Sequence, residues 1–161
     1  MNIEPKPRCM TPGSYELLLY KDESVDTAKT LLGLCEDATP ELTKDNQGVL
    51  LSFLKRASKG LLIHEDDDKD IQPCASQPNL WELYPLTDDR LERAYSGEPA
   101  VEPFTVVVLH AHKKEIDGSK EEIKAWQNSE MKVAQQLFDF GRTRRWGHDP
   151  VAAARKALGH T

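Results

Sequence analysis

From Ser14 to Asp22 the chain runs SYELLLYKD, a short apolar stretch bracketed by tyrosines, and this pattern predicts a first β-strand. The period then changes. In SVDTAKTLLGLCE, Val25, Ala28, Leu31, Leu32 and Cys35 recur at helical spacing behind Ser24, a predicted N-cap. A second helix is predicted from Pro40 with Thr39 as its cap; Val49, Leu50, Phe53, Leu54 and Ala57 form the apolar stripe, Gly48 weakens it, and Gly60 ends it. Residues 61–78 form an irregular polar connection. Three short β-type runs follow: NLWELYPL (79–86), RLERAYSG (90–97) and FTVVVLHAHKK (104–114). The connectors TDD and EPAVEP are of the length antiparallel neighbours use. A third helix is predicted behind Ser119, with Glu122 at the capping-box position and Ile123, Trp126, Val133, Ala134, Leu137 and Phe138 as apolar contacts. Trp81 and Trp126 fall in apolar patterns and are expected in the core. Asp149 and Pro150 predict the start of a short terminal helix.

This order of elements predicts an α+β domain: a small antiparallel sheet, made of the N-terminal strand and the three-strand meander, with helices packed on one face. A length of 161 residues suits a single domain. Residues 1–13 are expected as an N-terminal extension, 14–140 as the domain, and 141–161 as a basic C-terminal tail with a short helix.

Composition narrows the function classes. Hydrophobic residues at 39% and charged residues at 30% describe a soluble, globular chain. No apolar run approaches the roughly 18–20 residues that span a bilayer, so no membrane partner is expected. The N-terminus carries basic residues without an apolar h-region, which is no signal peptide. Cys9, Cys35 and Cys74 are odd in number and match no zinc or redox spacing, pointing to a reduced, cytoplasmic setting. A net charge of -6 weighs against a generic nucleic-acid binder. The charge is unevenly placed, however: from Gly141 onward five basic residues face one acidic residue. That asymmetry suits an anionic partner or a solvated end.

The chemistry concentrates where FTVVVL runs into HAHKKE. Regular alternation places Val106, Val108, His110 and His112 on one face and Val107, Leu109, Ala111 and Lys113 on the other. Two histidines at this spacing chelate zinc only with a third ligand, which His64 or the neighbouring aspartates supply only by assumption; no metal or cofactor is expected. The sharper expectation is phosphate chemistry. Lys113, Lys114 and Arg93 would hold a phosphodiester while Tyr95, His110 or His112 moves protons. RNA suits such a group because its 2′-hydroxyl attacks the adjacent phosphate without metal or water. This expectation requires Arg93 to share a pocket with Lys113 and Lys114. The string GRTRRWGH adds Arg142, Arg144 and Arg145 beside an aromatic, a combination that suits RNA contact, as does Arg90; a solvated helix end is the plainer alternative.

The succession LWELYPL, RLERAY, VVVLHAHKK and KEEIKAW, preceded by YELLLYKDE and LKRASKGLLI, resembles the RelE/HigB toxin superfamily, particularly its phage-derived HigB-like branch. The resemblance covers roughly residues 14–140 and rests on several short motifs in the right order. It implies a RelE-like microbial ribonuclease fold. It also implies the toxin component of a toxin–antitoxin system: an endoribonuclease cleaving mRNA, usually on the ribosome, held inactive by a cognate antitoxin. By matching positions, Arg93 becomes a phosphate-binding arginine, Tyr95 its aromatic neighbour, and Lys113 and Lys114 the lysine pair after the last strand. His110 takes the place of the histidine in LHAF, and His112 replaces that motif's aromatic. The chain departs from the pattern at Tyr84, where an arginine is common, at Glu115 and Asp117 after the lysines, and in its acidity. These departures keep a second expectation open: a non-catalytic protein-binding module on the same fold, possibly encoded by a phage or mobile element.

Overall fold

In a computed structural model, which describes residues 6–65, 68–87 and 90–148, the chain is α+β. Its elements are β1 (Glu16–Leu19), α1 (Thr27–Leu34), α2 (Pro40–Ser58), β2 (His64–Glu65), β3 (Asp68–Lys69), β4 (Ile71–Pro73), β5 (Leu80–Leu83), β6 (Glu92–Gly97), β7 (Thr105–Lys113) and α3 (Lys120–Phe140). Five strands form one sheet in the order β1-β7-β6-β5-β4, and β2 and β3 make a separate two-stranded ribbon.

The sheet corrects the antiparallel expectation. β1 lies parallel to β7, with Leu18 opposite Val107, while β7, β6, β5 and β4 alternate in direction. The strand's residue pattern is the same for either direction, so only the pairing decides it. A strand was also hidden in the irregular connection. Ile71–Pro73 pairs with β5, and its proline is tolerated because β4 is an edge strand.

Helices cover both faces rather than one. Against the first face, Leu31 and Cys35 of α1 and Leu50, Phe53 and Ala57 of α2 pack on Leu83, Ala94, Val106, Val108 and Ala111. Against the second, Met131, Ala134 and Phe138 of α3 pack on Leu18, Leu80, Tyr95, Val107 and Leu109. A strand buried on both sides needs a near-continuous apolar run, which is what β7 has. Cys9, in a 3-10 turn at Arg8–Met10, belongs to the first core, and the Arg8 guanidinium donates to the carbonyls of Pro99, Glu102 and Thr105 at 2.7–3.0 Å. Part of the expected extension is therefore built into the domain.

The helix starts follow local chemistry. Thr39 caps α2, which runs unbroken through Gly48, and Ser119 with Glu122 forms the full capping box of α3. Asp26, not Ser24, caps α1, because Asp22 already accepts from the amides of Ser24 and Val25 at 2.7 Å each. Trp126 is not a core residue: it is 40% exposed, and Trp146 fills the core instead, stacked on Phe138. The terminal helix expected from Asp149 lies outside the described residues.

One irregularity sets the face of every residue at the end of β7. Tyr95 pairs with His110 but Ser96 pairs with Val108, so Leu109 is an extra residue, a β-bulge. Leu109 and His110 then both face α3, and alternation resumes with Ala111 on the first core and His112 on the α3 side.

Close approach of β6 to α3 yields a stability prediction. A Cβ built on Gly97 would lie 2.5 Å from the Phe138 ring. Gly97→Ala is expected to destabilise the fold by about 1–3 kcal/mol through overpacking, read as a lowered midpoint in thermal or urea unfolding.

Candidate active site

β6 and β7 bring Tyr95, His110 and His112 together on the α3 face. Their rings are roughly parallel, with centroids 5.5 Å apart for Tyr95 and His112 and 5.8 Å for the two histidines. The Tyr95 hydroxyl lies 2.7 Å from His112 Nε2. Burial, reinforced by the Glu82 carboxylate, pushes the Tyr95 phenol well above its ordinary range, so it stays protonated and donates. That assigns the imidazole tautomer: His112 Nε2 accepts, and Nδ1–H donates to the Lys113 carbonyl at 3.2 Å. Burial lowers the His112 pKa from 6.5, although Glu130 opposes the shift. His112 is thus held neutral.

His110 has a different partner. Its Nε2 bonds a carboxylate oxygen of Glu130, near the middle of α3. Glu130 is the residue that sequence reasoning missed. The signal was present, since Glu130 interrupts the apolar series Ile123, Trp126, Val133, Leu137 at three-and-four spacing.

Arg93 behaves differently from the expectation. Its side chain is 9% exposed, its Nε lies 3.5 Å from Glu82 Oε1, and its guanidinium covers the Tyr84 ring with Cζ 4.5 Å from the centroid. It also donates to the carbonyls of Arg90 and Glu92. Glu82 is itself buried and accepts from Gln72 and Gln127 at 3.0 Å each. Arg93 therefore balances a buried carboxylate. It stands opposite His112 in the ladder, and Lys113 stands opposite Glu92, one position on. The structure does not bring Arg93 into the lysines' pocket.

Lys113 and Lys114 sit where β7 leaves the sheet, and neither forms an ion pair with a described residue. They line a cavity of about 40 Å³ with His112, Glu115, Ile123, Trp126, Gln127 and Glu130. A more open groove continues on their far side past Leu91, Ile116 and Asp117. This strand end combines two cations, the carboxylates of Glu115 and Glu130, and a neutral imidazole.

The other expected RNA contacts lie elsewhere. Arg90 is bound to Glu92 at 2.8 Å and Asp37 at 3.5 Å. Arg145 is clasped by Glu16 and Glu102, both at 2.8 Å, beside the start of β7. Nine strand residues separate that end from Lys113, about 26 Å. Arg142 covers the Phe138 ring with Cζ 4.9 Å from its centroid, and Arg144 is exposed. Arg145 and Trp146 adopt left-handed backbone (φ 46° and 54°), held by Trp146 Nε1 donating to the Phe138 carbonyl at 2.9 Å. Among the described residues, no group of three His, Cys, Asp or Glu side chains is arranged to hold a metal ion. Burial pushes the Cys9 and Cys74 thiols up to about 12, which leaves them protonated and unreactive at neutral pH.

The neutral histidine makes stability pH-dependent with a definite sign. Folded His112 takes up a proton less readily than an unfolded histidine titrating near 6.5, so its contribution is complete above that pH and is lost as the pH falls below it. The melting temperature should fall between pH 7.5 and 5.5, and His112→Gln should flatten that slope in a melting series. Neither a model of any known protein family nor any curated protein sequence matches the chain.

Proposed function

We propose that the strand end of β7 is the active site of an endoribonuclease that works without a metal, in a toxin of the kind the sequence resembles. The observation that carries this is the joint placement of Glu130, neutral His112, Lys113 and Lys114 around one cavity. In this scheme Glu130 takes the proton-transfer role expected of Tyr95, His110 or His112, and Arg93 holds β6 through Glu82 instead of binding phosphate. Glu130, held by His110, takes the proton of a ribose 2′-hydroxyl, and the freed oxygen attacks the adjacent phosphorus. The lysine ammonium groups offset the charge on the phosphorane oxygens, and neutral His112, held between the Tyr95 hydroxyl and the Lys113 carbonyl, fixes the strand end that carries them. One ammonium gives its proton to the departing 5′-oxygen and regains it from solvent. The products are a 2′,3′-cyclic phosphate and a 5′-hydroxyl. The mRNA, the ribosome and a neutralising antitoxin are the partners this proposal entails.

A second proposal, a non-catalytic protein-binding module, draws support from the internal neutralisation of Arg90, Arg93 and Arg145. The two diverge in one experiment. Purified protein with EDTA is incubated with single-stranded RNA, and product ends are mapped. An enzyme gives cyclic phosphate ends, and Glu130→Gln lowers the rate about 10²- to 10⁴-fold, with Lys114→Ala also impaired. Intact RNA, together with normal growth on expression, leaves the binding module. Cleavage undiminished in Glu130→Gln overturns the assigned site.

A further inference from the structure

The cavity between His112 and Glu130 has a volume of about 40 Å³, room for a few water molecules at about 10–15 Å³ each. A phosphate and its ribose that meet the lysines at its rim leave the attached base beside the exposed residues of the rim. The largest exposed ring at that rim is the Trp126 indole, 40% exposed although its sequence pattern marks it as core.

Trp126 is braced rather than loose. A Cβ built on Gly118 would come within 3.0 Å of the ring's Cη2 and 3.1 Å of its Cζ3, so the loop backbone supports the indole from one side. On the cavity side, Ile123 and Gln127 share the rim with it, one turn below and beside it on α3, and Lys114 faces them from β7. A braced indole next to ammonium groups that pair with no described carboxylate has the two parts of a single-strand site: a face for stacking and charges for the backbone. In a duplex every base is stacked on its neighbours and has no face to offer.

We propose that Trp126 is a stacking platform for one unpaired base of single-stranded RNA, whose phosphate sits between Lys113 and Lys114. This rests on the ribonuclease proposal for the choice of RNA, but it is tested by binding alone. The probe is a 2′-O-methyl hexanucleotide, which lacks the attacking hydroxyl and stays intact. Tryptophan emission of the full chain is followed as single strand or the corresponding duplex is added, and cleavage of ordinary RNA is measured in parallel.

The single strand should quench emission and the duplex should bind at least tenfold more weakly. Trp126→Ala should weaken binding about tenfold or more, while Trp126→Phe keeps most of it; circular dichroism checks that both variants fold. In cleavage, Trp126→Ala should raise KM with little change in kcat. Equal binding by wild type and Trp126→Ala, or equal binding of strand and duplex, overturns the platform and leaves the ribonuclease proposal standing wherever cleavage persists. Binding that depends on Trp126 without any cleavage upholds the platform and sinks the enzyme. Wild-type protein that neither binds nor cleaves overturns both.

Discussion

Between Tyr95 and Ser96 the ladder joining β6 to β7 slips by one residue, and Leu109 is left without a partner. Under strict alternation His110 and His112 would share a face with Val106 and Val108, against α1 and α2. The bulge moves them onto the α3 side, where Tyr95 already stands. That arrangement also meets a requirement of burial. A tyrosine with no exposed surface needs a hydrogen-bond partner for its hydroxyl, and His112 Nε2 supplies it. The slip in register and the satisfaction of a buried polar group are two sides of one constraint. Glu130 can reach His110 only because the same slip points that imidazole at α3.

A second polar arrangement stands beside the first and limits it. Glu82 is 2% exposed on the α3 face and would be costly to bury as an unpaired charge. Gln72, Gln127 and Arg93 surround it, and Tyr84 lies under the guanidinium. Arg93 is thereby withdrawn from any external anion. Arg90 and Arg145 are withdrawn in the same way by Glu92, Asp37, Glu16 and Glu102. In a chain of net charge -6, the lysines at the end of β7 form no ion pair with a described residue, and their position is fixed by the Lys114 amide donating to the Leu91 carbonyl at 2.6 Å.

What the sequence disclosed was mostly local. Thr39 before proline, and Ser119 three residues before Glu122, state helix starts that depend on a few neighbouring atoms, and the structure has them both. The strands around Leu80–Leu83, Glu92–Gly97 and Thr105–Lys113 were equally plain from their apolar runs. Pairing was not. The direction of β1, the addition of β4 and the bulge at Leu109 are relations between distant segments, and no residue pattern within one segment encodes them. The same holds for the candidate site. His110, His112, Lys113 and Lys114 could be named from one string. Glu130 lies on another element, and Arg93's buried partner Glu82 lies on a third.

The placement of charge limits how the proposed site would hold RNA. Affinity for nucleic acid that comes from neutralising phosphates weakens with salt in proportion to the number neutralised, with a slope near 0.7 per phosphate on single strands. Two lysines therefore give a slope of only about 1.4, far too shallow for a protein that grips a long backbone electrostatically. The arginines that would have steepened it are bound to carboxylates of the same chain. Any substantial hold on RNA at the end of β7 must then come from contacts that salt does not screen, which means ring faces and directed hydrogen bonds. The rim offers Trp126 and Gln127 for those. The chain's net charge of -6 opposes the rest of the polymer, so recognition would be confined to the one or two nucleotides that fit the rim.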